Sequence, residues 1–141
     1  MCTFLTTRKR YTAKKNMVVY KILRKKDGEY FAPYYGTSYS SHQLSTTTLG
    51  NPRFYNNPSV RMNYGICQGI HSFRTIRAAK DYFNSSVLVF HEDLFIVKAI
   101  VPKGSNYYPG YYDSKSSLKP NSIVSDSIQL TNEEIKLCVH S

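Results

Sequence analysis

The chain has 141 residues, 19 Lys and Arg against 9 Asp and Glu for a formal charge of +10, and 13 Tyr with no Trp. This length fits one domain with its own core, and a hydrophobic fraction of 41% excludes a disordered chain. No apolar run reaches the ~18–20 residues of a membrane-spanning helix. Phe4-Leu5 is too short for a secretory leader.

Residues 1–26 hold nine basic residues and no acid: Arg8, Lys9, Arg10, Lys14, Lys15, Lys21, Arg24, Lys25 and Lys26. The remainder is close to electroneutral. Residues 1–16 lack apolar periodicity and read as a basic arm, leaving 17–141 as the domain. Met17 to Arg24, rich in β-branched and aromatic residues, is a first strand. Asp27-Gly28 is a hairpin signal, and Glu29 to Ala32 returns. Pro33 to about Tyr64 is the least legible stretch. Its Gly, Pro, Asn and Ser content reads as a long loop, which is unusual inside a domain.

Order returns at Gly65 to Phe73, a strand with Ile70 and Ser72 on one face and His71 and Phe73 on the other. Thr75 is placed to cap a helix through its hydroxyl. Ile76, Ala79 and Phe83 form a short apolar stripe, and Asn84-Ser85-Ser86 ends it. Val87 to Phe90 and Leu94 to Val101 read as strands. A tyrosine-rich stretch, Tyr107 to Tyr112, reads as a loop, and short strands follow near Ile123, from Asp126 to Leu130 and from Ile135 to Val139. The fold class is α+β: one main helix on a mixed or mostly antiparallel sheet of six to seven short strands.

Specific chemistry is sparse. His71 sits alone in a strand, and no histidines or cysteines have the spacing of a metal site; no cofactor motif is present. Cys2, Cys67 and Cys138 are an odd set without a CxxC pair, consistent with idle thiols in a reducing compartment. Glu92-Asp93 and Glu133-Glu134 fall at turns, where solvated charge is the ordinary reading. The basic segment is the strongest signal, suited to nucleic acid, to an acidic protein, or to a solubilising role. Arg8, Lys9, Arg10, Lys14, Lys15, Arg24, Lys25 and Lys26 are the binding candidates, with Tyr107, Tyr108, Tyr111 and Tyr112 as contact residues and His71 as an additional suspect.

The succession Val-Val-Tyr-Lys-Ile-Leu-Arg, Gly-Ile-His-Ser-Phe-Arg-Thr with Ala-Ala-Lys-Asp-Tyr, Val-Pro-Lys-Gly-Ser-Asn-Tyr-Tyr-Pro-Gly and Ser-Asp-Ser-Ile-Gln-Leu resembles small uncharacterised proteins of bacteriophages and other large DNA viruses. It covers roughly residues 17–131. The resemblance implies a viral accessory protein that binds rather than catalyses, in the infected cell's cytoplasm or the virion, or a structural virion protein. Gly69-Ile70, Ala79 to Tyr82 and Ile96 to Gly104 also follow an order similar to the ADP-ribosyltransferase fold. That likeness implies a nucleotide site with Arg24 in the first strand and Asp126 in place of the late-strand Glu, near His71 and the Tyr107–Tyr112 stretch.

Overall fold

A computed structural model describes residues 3–5, 9–33, 37–54, 64–86, 88, 93–112 and 120–137. In chain order the elements are β1 (Thr3–Leu5), β2 (Tyr11–Thr12), β3 (Met17–Lys26), β4 (Glu29–Phe31), β5 (Ser38–Tyr39), β6 (Leu44–Thr46), β7 (Arg53–Phe54), β8 (Tyr64–Ile66), β9 (Ile70–Phe73), α1 (Ile76–Asn84), β10 (Leu94–Val101), β11 (Asn106–Tyr111), β12 (Ser122–Ser125) and β13 (Ser127–Lys136). The architecture is mainly β with one helix, broadly α+β.

The strands form one sheet in the order β6-β13-β10-β3-β9-β12-β11-β1-β8-β7, with β2 added to β11, β4 to β3 and β5 to β4. Neighbouring strands pair antiparallel, and a parallel bridge joins Ser41 to Leu130. The sheet has thirteen strands, about twice the expected number. The excess lies in two stretches read as irregular. The supposed arm supplies β1 and β2, and the supposed long loop supplies β5, β6 and β7. Strands of two or three residues are too short to show alternation.

The segment 1–16 is therefore built into the sheet where it is described. β1 runs between β11 and β8, with Phe4 opposite Tyr111 and Gly65. β2 pairs with β11, and Ala13 is buried, its N–H donating to Ser105 and its carbonyl accepting from Gly104. The Tyr107–Tyr112 stretch is a strand, not a loop. Pro109, which has no N–H to donate, falls between the β11 residues paired to β2 and those paired to β1.

The first hairpin and the helix cap are found as expected. β3 turns into β4 through Asp27 (φ 52°) and Gly28 (φ 81°), the left-handed pair of a tight hairpin. The Thr75 hydroxyl accepts from the Ala78 N–H at 3.0 Å and starts α1. The expected Val87–Phe90 strand lies outside the described residues except for Leu88, which is buried and not in a strand. The last two expected strands are one, β13. It bulges at residues 131–133, opposite Lys98, where the Thr131 hydroxyl donates to the Lys98 carbonyl at 2.8 Å.

The sheet has a core on each face. Val19 and Leu23 of β3 join Val97, Ala99 and Val101 of β10, Ile128 and Leu130 of β13, and Tyr30 and Tyr39 of the returning hairpin. On the opposite face Ile22, Phe73, Leu94 and Ile96 receive Ala78, Ala79 and Phe83 of α1. Full burial of a side chain such as Phe83 stabilises by ~1.5–3 kcal/mol. One end of the first core is closed by Glu134, which accepts from the Tyr30 hydroxyl and from Lys25 Nζ at 2.9 Å. Burial pushes the Tyr30 phenol up to about 12, with the Glu134 bond and charge acting in the same direction.

Candidate functional site

The basic residues do not converge on one face. Met17 and Lys26 end a strand of ten residues, roughly 30 Å at ~3.3 Å per residue. At one end, Arg24 Nε lies 3.5 Å from Asp93, Lys25 is paired to Glu134, and Lys26 is exposed. At the other, the bend 13–16 lies against the turn after β10, where the Lys103 N–H donates to Asn16 Oδ1 at 2.9 Å. Lys14, Lys15 and Lys103 are exposed at that end, and none is in an ion pair among the described residues. Arg8 lies outside the described residues.

The tyrosines separate likewise. Tyr11 and Tyr107 stack at 5.7 Å, and Lys9 Nζ lies 5.4 Å from the Tyr11 ring centroid. Tyr11 is thereby engaged by both a ring and a cation. Tyr108 is buried and receives Arg10 Nε on its hydroxyl at 3.3 Å. Tyr111 is buried too. Tyr112 packs in an aromatic trio with Phe73 and Tyr82, its ring centroid 5.8 and 5.3 Å from theirs. Tyr108 and Tyr111 are thus buried packing residues, and Tyr112 is half-buried in its trio.

The His71 ring is held through both of its nitrogens. Its Nε2 lies 3.0 Å from the Cys67 carbonyl, which only accepts, so Nε2 carries the proton. Nδ1 is then the acceptor of the Thr3 hydroxyl at 2.8 Å. Burial holds the ring down to about 4, aided by the nearby Lys21 charge and opposed by the bond to Cys67. With both nitrogens engaged, the imidazole has no free position for proton transfer. Cys67 itself is disulfide-bonded; it is not an idle thiol, and Cys2 and Cys138 lie outside the described residues.

The residue that sequence reasoning passed over is Lys21. β3 and β9 pair at Tyr20–Phe73 alone, after which β3 takes β4 as its partner. Strand alternation turns Lys21 to the same side as Val19 and Leu23, into the core. Its Nζ donates to the His71 carbonyl at 2.6 Å and lies 5.2 Å from the Tyr39 ring centroid. Burial pushes the amine down to about 8. The opening between the two strands is a cavity of about 200 Å³ lined by Lys21, His71, Tyr39, Ile22, Phe73 and Leu88 among others. The Val19-Lys21-Leu23 alternation is the sequence signal that turns Lys21 inward, masked by its place in a run of basic residues.

Arg24 and Asp126 do not share a site. Arg24 is opposite Leu94 on β10, whereas Asp126 precedes Gln129, which pairs six residues further along at Ile100. That is roughly 20 Å at ~3.3 Å per residue. Asp126 accepts instead from the N–H and Nδ2 of Asn106, both at 3.1 Å. Among the described residues no three His, Cys, Asp or Glu side chains gather to hold a metal, and no helix is long and apolar enough to cross a membrane. Comparison with protein families, curated proteins and solved structures finds no match to this chain.

Proposed function

We propose that the protein is a viral accessory protein that works by binding, and that its partner is the phosphate backbone of a nucleic acid. The observation that carries this reading is the gathering of Lys14, Lys15 and Lys103 at one end of the sheet without ion-pair partners among the described residues. Lys9, over Tyr11 on the adjoining ladder, extends the same stripe. Such cations attract phosphates by charge and release counterions. Tyr11 is already engaged by the Tyr107 ring and by Lys9, which favours backbone contact over base stacking. Arg24 and Lys25, each beside an acid, contribute little to this attraction. The working location in this reading is the infected cell's cytoplasm or the virion.

Filter binding of a DNA oligonucleotide against salt tests the reading. Three phosphate contacts give a log–log slope of roughly −3, so affinity falls about fortyfold between ~50 and ~200 mM salt. The triple variant Lys14→Ala, Lys15→Ala, Lys103→Ala flattens the slope by about 2–3. Binding of polyglutamate but not DNA would assign the stripe to an acidic protein partner, and binding of neither would end the proposal.

A further inference from the structure

Among the described residues, the cavity beside Lys21 contains a cation and no anion. An ammonium has three donors. Among the described contacts, Lys21 uses one on the His71 carbonyl and faces the Tyr39 ring. No carboxylate lies within 4.0 Å of it among the described ion pairs. A main-chain oxygen and a ring face offset part of the cost of removing the charge from water, and a counter-charge offsets far more. Much of the described wall is apolar or aromatic, from Ile22, Ala32 and Leu88 to the rings of Tyr39, Phe73 and Tyr82.

We propose that this cavity binds a small monocarboxylate with an apolar body, whose carboxylate completes the Lys21 ammonium and whose body lies on Ile22, Phe73 and Leu88. One cation matches one negative charge. A phosphate group would call for several donors, and the wall offers a single charged one. The volume of about 200 Å³ suits a small ligand, on the order of ten non-hydrogen atoms or fewer. The depressed amine fits a cation awaiting its partner, and a bound carboxylate reverses the depression. The other polar or titratable groups of the described lining are Thr37, His71 on β9, Tyr39 on β5 and Tyr82 on α1, with Cys67 in its disulfide. His71 is held down to about 4 and burial raises Tyr39, so Lys21 is the group that changes charge near pH 8.

The test uses the full chain, with hexanoate as probe and hexan-1-ol as the neutral control. Calorimetric titration at pH 6.5 should show saturable hexanoate binding at least tenfold tighter than hexan-1-ol, and the preference should vanish at pH 9.5. In parallel, a heteronuclear NMR titration of the Lys21 side chain should show its pKa rising by one unit or more with hexanoate bound. Lys21→Met should abolish the preference for the acid while leaving salt-dependent DNA binding unchanged. The pH and NMR arms use the unmutated protein and stand even if that variant does not fold. Equal affinity for acid and alcohol, absence of saturable hexanoate binding, or an unmoved Lys21 pKa would overturn the proposal.

Discussion

Thr3 and His71, 68 residues apart in sequence, meet through a 2.8 Å contact between Oγ1 and Nδ1. The contact fastens β1 to β9 although the sheet order places β12 and β11 between them. Thr3 is fully buried, so Thr3→Val leaves Nδ1 an acceptor without a donor. The expected loss is ~1–2 kcal/mol, read by urea denaturation at pH 7.5. A double-mutant cycle with His71→Gln should show coupling, because the second substitution removes the group left unsatisfied; additive losses would disprove the contact.

His71 also makes stability depend on pH. Its pKa falls from 6.5 in the unfolded chain to about 4 in the fold. Between those values the unfolded chain binds a proton that the fold refuses. The contribution is therefore complete above pH 6.5 and lost progressively as pH falls toward 4, by up to about 3 kcal/mol. Denaturation at pH 7.5, 6.5, 5.5 and 4.5 should show this fall, and His71→Gln should flatten it relative to the unmutated chain.

Glu134 titrates in the opposite sense. Burial pushes its carboxyl up, but the bonds from Tyr30 and Lys25 and the charge of Lys25 together outweigh burial, leaving the group below its ordinary range. Its contribution is present above the ordinary value and lost as pH falls through the folded one. Tyr30→Phe removes one charge-assisted bond, with an expected loss of ~1.5–3 kcal/mol at pH 7. The gap between variant and parent should narrow in acid, as the carboxylate takes up its proton.

Gly69 is fixed by both backbone and space. Its φ is +147°, and an added Cβ would lie 2.5 Å from Val124 Cγ2 and 2.9 Å from Leu49 Cδ1. Gly69→Ala combines a strained backbone with overpacking, for a loss of ~2–4 kcal/mol. At ~3 °C per kcal/mol for a chain of this size, the melting midpoint should drop by roughly 6–12 °C. Gly28→Ala, with open space around its Cβ and strain alone to meet, should cost clearly less.

The Cys67 disulfide gives a direct count. With three cysteines in the chain, thiol titration under denaturing, non-reducing conditions should find one free thiol, and after reduction three. Three thiols before reduction in protein prepared under oxidising conditions would contradict the bond.

The elements legible in the sequence are those long enough to show a period or bounded by distinctive residues. β3, the Asp27-Gly28 turn, the Thr75-capped helix and β10 all meet that condition. β1, β2, β5, β6 and β7 have two or three residues each and owe their conformation to partners distant in sequence. The Tyr107–Tyr112 stretch was obscured by Pro109-Gly110, whose strand position depends on a local gap in the neighbouring ladder. The candidate site was legible only in part. His71 stood out as a lone histidine in a strand, but the splaying of β3 from β9 that opens a cavity beside Lys21 depends on where the ladder stops, which periodicity does not encode.

The insertion of β1 between β8 and β11 also sets an order of assembly. Phe4 is synthesised about a hundred residues ahead of its partner Tyr111, so this edge closes only after most of the chain is available, a long loop to bring together. Refolding is accordingly expected on the millisecond-to-second scale of sheets built from distant pairings, with β3 and the β4 hairpin, joined by a two-residue turn, able to form well before the first strand finds its place.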